Sequence, residues 1–166
     1  PEVENKDDFE RWLETVKGKF VLVSQYQPTG RPDSNWEEYA LPESFEKMKN
    51  DRREISRKWY SNISSTGYGY RDISSAFEKA GAIGLISSYW SRVPGSNKVF
   101  NARTEKIPNI DVNLEDYGTL YRLAKNDKKP VVKVIATSTE LGDVPTFNTI
   151  APVSYTHLRA HETEAD

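Results

Sequence analysis

Three observations predict an α/β fold for this 166-residue chain. Short β-branched and aromatic runs of strand length alternate with stretches whose apolar residues recur at helical spacing, as in a sheet flanked by helices. The helical stretches carry their own start and stop residues. Connections between elements are short enough for a compact layer pair, and the length suits one domain of ordinary size.

Phe9, Trp12, Leu13 and Val16 lie three, one and three apart and mark one face of a short helix, preceded by acidic Asp7 and Asp8. Gly18 stops it, and 19–24 (Lys-Phe-Val-Leu-Val-Ser) reads as a strand. Pro28, Gly30, Pro32 and Asp33 make a turn-rich loop. From 42 to 60, Phe45, Met48, Ile55 and Trp59 recur at spacings of three, seven and four behind Pro42, which predicts an amphipathic helix. Its dense charges read as a solvated face with pairs such as Glu54 and Lys58. Residues 61–70, polar and glycine-containing, read as a loop.

Asp72 is placed to cap a helix carrying Ile73, Ala76, Phe77 and Ala80, which Gly81 closes. A buried strand follows at 82–87. A loop with Pro94 and Gly95 leads to an edge strand at 106–112 that contains Pro108. Asn113 caps a helix with Leu114, Tyr117, Leu120, Tyr121 and Ala124 on one side, with Asp116 completing a capping-box pattern. The β-branched run 131–136 is expected to be the last strand.

Composition excludes several classes of function. With 23 basic against 25 acidic residues the chain lacks the basic profile of a nucleic-acid binder, so no nucleic-acid partner is expected. No apolar run approaches the ~20 residues of a membrane helix, so no membrane partner is expected either. The absence of Cys removes disulfides, thiolate nucleophiles and Cys-bearing metal sites. At 36% hydrophobic residues the chain falls below the ~45–50% usual for globular domains even with Gly counted, which points to solvated loops or to a missing partner.

His157 and His161 sit four apart and would share a helix face, yet Leu158 stands where a zinc protease helix needs its Glu. Residues 154–163 (Ser-Tyr-Thr-His-Leu-Arg-Ala-His-Glu-Thr) resemble a sequencing adaptor translated at the broken end of a metagenomic read. Residues 152–166 are therefore expected to be a non-native tail. Setting aside 154–166 removes both His, one Arg and three acids, leaving 22 residues of each sign. No catalytic residue, metal ligand or cofactor site is then expected in this chain. Carboxylates alone could still do acid–base work, but Asp7/Asp8, Glu37/Glu38 and Glu115/Asp116 are adjacent pairs that face apart on helices. The 67–71 segment (Gly-Tyr-Gly-Tyr-Arg) is too short of glycine for a phosphate cradle, and 111–116 lacks the glycine and spacing of a calcium loop. Asn62-Ile-Ser64 matches a glycosylation acceptor. Trp and Tyr presented from loops suit sugar faces or peptide side chains, and Trp36, Tyr68, Tyr70 and Trp90 are the candidate substrate-contact residues.

Four segments together resemble one known domain: 16–24 (Val-Lys-Gly-Lys-Phe-Val-Leu-Val-Ser), 80–88 (Ala-Gly-Ala-Ile-Gly-Leu-Ile-Ser-Ser), 98–108 (Lys-Val-Phe-Asn-Ala-Arg-Thr-Glu-Lys-Ile-Pro) and 115–123 (Glu-Asp-Tyr-Gly-Thr-Leu-Tyr-Arg-Leu). They look like the protease-associated (PA) domain inserted in zinc exopeptidases of metallopeptidase family 28, of the carboxypeptidase Q-like type. The 144–151 segment (Val-Pro-Thr-Phe-Asn-Thr-Ile-Ala) resembles the strand by which such chains re-enter the catalytic domain.

This resemblance implies an α/β, PA-type domain, a small partly open β-barrel or sheet flanked by helices, here with a helical insertion around 42–60. It divides the chain into a lead-in helix at 1–18, the accessory domain at 19–140, a re-entering strand at 141–151 and the tail at 152–166. It further implies a non-catalytic accessory role beside a zinc-dependent aminopeptidase or carboxypeptidase, in a secreted or periplasmic setting. The missing catalytic domain would be the partner and hold the zinc, and a peptide would be the substrate. In that family a His-x-Asp pair follows the Asn-Thr-Ile-Ala segment; here Pro152 and the tail stand there, so no ligand position carries over. With Pro1 in place of Met, a fragment is expected, and Val144, Phe147 and Ile150 are expected to be stranded apolar residues. Two rival readings are a free-standing protein- or carbohydrate-binding module using the loop aromatics, and a small enzyme using carboxylates alone.

Overall fold

In a computed structural model, residues 1–98, 102–137, 139 and 142–148 are described. Residues 1–131 form one compact unit, and 132–166 cluster separately. In the first unit three short strands, β1 (Phe20–Leu22), β2 (Gly84–Ser87) and β3 (Asn109–Asp111), form a parallel sheet in the order β1-β2-β3. Phe20 pairs with Gly84 and Leu22 with Ile86, while Leu85 pairs with Asn109 and Ser87 with Asp111. The central strand is buried at every position, which is why its sequence is a continuous run without alternation. An α/β class is thus observed.

Among the described residues five helices accompany the sheet: α1 (Lys6–Leu13), α2 (Asp33–Tyr39), α3 (Pro42–Ser65), α4 (Ile73–Lys79) and α5 (Leu114–Lys125). Asn5 caps α1 by accepting the Asp8 N–H at 3.0 Å, and a 3₁₀ turn over Glu14–Val16 prolongs it. Gly18 and Gly81 then reverse the chain with φ of +72° and +85°, where a Cβ would be strained. The predicted face of α1 is buried: Phe9, Leu13 and Val16 pack with Val21, Ile73, Phe77 and Leu85 in the main core. Phe9 meets Phe77 edge-on at 5.9 Å. Asn113 caps α5 by accepting the Asp116 N–H at 2.8 Å, and its amide also bonds the Asp116 carboxylate at 2.7 Å.

Several expectations need correction. α3 runs past 60 to Ser65, because Asn62 bonds Pro1 and Val3 backbone and Ile63 packs on the core, so this stretch has tertiary reasons to stay helical. Those same bonds occupy the Asn62 side chain that the glycosylation pattern would need free. Residues 33–39 form α2, entered from Pro32, so Trp36 stands on a helix and not in a loop. Asp72 does not cap α4 with its side chain; its carbonyl accepts the Ser75 and Ala76 N–H groups instead. The run 131–136 forms no strand: Val131 is 95% exposed and Ile135 82%, and β-branched composition suits a half-buried pleated surface without by itself supplying one. The described residues of the second unit contain neither helix nor strand. His157, His161 and Ile150 lie outside the described residues.

Candidate functional site

Open parallel sheets leave a crevice at the carboxyl ends of their strands, and a connected side-chain network gathers there. Ser24, just past β1, donates its N–H to the Tyr117 hydroxyl at 2.8 Å, and that hydroxyl donates to the Ser24 carbonyl at 2.6 Å. The Ser88 N–H, just past β2, donates to Ser24 Oγ at 2.8 Å. Asp111, ending β3, accepts from the Tyr89 N–H at 3.0 Å, from Asn97 at 3.1 Å and from the Ser87 hydroxyl at 3.4 Å. Burial holds the Tyr117 phenol well above its ordinary pKa, and the Tyr89 phenol, desolvated and bonded to Tyr70, is pushed up to about 12. Both stay neutral donors under physiological conditions.

Beside this network lies a buried cation that the sequence reading passed over. Arg52, 7% exposed, pairs with Asp33, donates to the Arg31 carbonyl at 2.7 Å and lies 5.1 Å from the Trp90 ring. Desolvation lowers its pKa and Asp33 opposes that shift. Asp33 also meets Arg92 at 3.4 Å. One guanidinium thereby ties α3, the 29–33 segment and the Trp90 segment together. A signal was available: Arg52 fills the seven-residue gap in the stripe Phe45, Met48, Ile55, Trp59, four after Met48 and three before Ile55. A charge on the buried face of an amphipathic helix needs partners, and here they come from segments distant in sequence.

Each of the four candidate aromatics carries a cation over its ring. Trp36 has Arg31 at 5.9 Å, Tyr68 has Lys6 at 5.8 Å, Tyr70 has Arg103 at 4.1 Å and Trp90 has Arg52 at 5.1 Å. Three of them belong to one neighbourhood. Tyr70 bonds Tyr89, the residue before Trp90, and the Arg52 that lies over Trp90 bonds the carbonyl of the Arg31 that lies over Trp36. Tyr68 is turned elsewhere, edge-on to Phe9 at 5.5 Å in the main core. Trp59 meets Tyr70 at 69° and Tyr60 at 81°, so these rings stand on edge to one another and form no flat platform of the kind a sugar face stacks on.

The carboxylates are engaged separately. Asp33 serves two arginines, Asp111 three donors, and Glu78 the N–H groups of Lys106 at 2.5 Å and Ile107 at 3.0 Å. Among the described residues no three His, Cys, Asp or Glu side chains gather to hold a metal. Among the described residues, one shallow depression of ≈ 440 Å³ lies between α1 and α4, and another of ≈ 460 Å³ beside Gly30, Arg31 and Pro94. Among the described residues no helix is long and apolar enough to cross a membrane. No protein-family model, curated protein or solved structure matches the chain.

Proposed function

We propose that this chain is the non-catalytic accessory domain, of the protease-associated type, of a secreted or periplasmic zinc exopeptidase of metallopeptidase family 28. Zinc and the hydrolytic residues belong to a catalytic domain that is the partner of this one, and a peptide is the substrate. The reading rests on the four segments that resemble that domain. They contain β1, β2 and most of α5, and the third ends just before β3; α1 to α4 lie outside them. Closing a partly open barrel requires strands beyond the three described.

One observation carries the reading furthest. The segment expected to re-enter a catalytic domain presents Phe147 90% exposed and Val144 57% exposed. Apolar side chains of that size left in water are what an interdomain strand presents when its neighbour is missing. The test is peptide hydrolysis by the purified chain supplied with zinc. Dipeptides are expected to remain intact, and turnover that needs zinc and stops with a chelator would overturn the non-catalytic role.

A further inference from the structure

The depression between α1 and α4 has features the accessory role does not call on. Its floor is apolar, made by Leu13, Ala76 and Ala80, and Tyr68 forms one wall. Asp72 and Lys79 stand on the same face of α4, seven residues and two turns apart, at opposite ends of the groove. At 1.5 Å per residue their Cα atoms stand about 10 Å apart along the helix axis. Neither side chain has an ion pair or hydrogen bond among the described residues. Of the other charges nearby, Arg71 adjoins Asp72 in sequence and is exposed, while two more are engaged. Lys6, which approaches Tyr68, pairs with Glu10 at 3.5 Å, and Glu78 is held by the 105–107 backbone. Lys17 packs beside Gly81, at the Lys79 end.

An acid and a base, both open to solvent and anchored on Cα atoms about 10 Å apart beside an apolar floor, complement a ligand with a cation at one end, an anion at the other and small apolar groups between. An extended chain spans about 3.3–3.6 Å per residue, so three residues match the spacing of the two anchoring Cα atoms. We propose that this groove binds short peptides of about three residues with both termini free, the amino terminus at Asp72 and the carboxylate at Lys79. The inference stands on the groove's own residues: zinc-dependent hydrolysis by this chain would sink the accessory role and leave this site unaffected.

The test is a titration of the whole ¹⁵N-labelled chain with trialanine, followed by amide resonances. Saturable shifts are expected at Leu13, Ala76 and Ala80, with free alanine giving none. N-acetyl-trialanine and trialanine amide should each bind about threefold more weakly, the range of one solvent-exposed charge pair. Asp72→Asn should abolish the preference for a free amino terminus alone, and Lys79→Met the preference for a free carboxylate alone. The blocked peptides test the idea on the unaltered chain, so a variant that folds poorly does not spoil the result. Absence of saturable shifts at those amides, or equal binding of free and blocked peptides, would overturn the proposal.

Discussion

Replacing Arg52 by Met should cost this fold about 3 kcal/mol. Arg52 is 7% exposed and joins Asp33, the Arg31 carbonyl and the Trp90 ring. Breaking a buried pair by removing one partner costs ~3–5 kcal/mol. Here the Asp33 side chain is 42% exposed, so water takes up part of what Arg52 releases, and the ion-pair share falls to about 2 kcal/mol. The lost seat over Trp90 and the under-satisfied carbonyl add about 1 kcal/mol between them. Met keeps the apolar stem and so separates charge from packing. Urea unfolding followed by tryptophan fluorescence should show a midpoint lowered by roughly 1.5–2 M at an unchanged slope of about 1.5–2 kcal/mol/M. Arg52→Lys, which keeps the charge but loses the planar fork, should fall about halfway. A midpoint for Arg52→Met within about 0.3 M of the parent would refute the role given to this cation.

Four further outcomes are expected. Gly84→Ala would drive a Cβ into the Phe20 ring and to 3.2 Å from Pro108, costing about 1–3 kcal/mol and lowering the thermal midpoint; an unchanged midpoint would mean the sheet yields there. Tyr117→Phe leaves the Ser24 N–H without its acceptor at a fully buried position and should cost about 1–3 kcal/mol in urea, with a loss under 0.5 kcal/mol counting against the network. For pH, the Glu78 carboxylate is held below its usual pKa, first by the Lys106 N–H, so its contribution is present above about 4.5 and fades as pH falls through the folded value; Glu78→Gln should flatten that acid limb of a stability–pH curve. The Tyr117 and Tyr89 phenols are raised, so their contribution is intact below about pH 10 and is lost as pH climbs beyond it, visible as late phenolate absorbance.

Much of the fold was legible because its elements announce themselves locally. Phe9, Leu13 and Val16 are spaced as a helix face and are buried as one, and Asn113 caps the helix it precedes. The three strands that formed are those with a neighbour to pair with. Val131–Ala136 has the same β-branched composition and stays unpaired, which no propensity could foretell. Helix α2 was hidden because its seven residues carry no apolar stripe and no side-chain cap. The candidate site was read less well. Sequence presents the aromatics as solvent-facing binders and does not show that a cation covers each ring, since Arg52, Arg103 and Lys6 come from other segments. The Asp72 to Lys79 groove was likewise illegible, because its floor needs Leu13 from α1.

The accessory role is tested most directly by the coding DNA read onward from the codon for Ala151. A frame that continues into a strand bearing His-x-Asp, followed by the remainder of a zinc exopeptidase, is the expected result. A native stop codon at that point, with no peptidase sequence in frame, would contradict it.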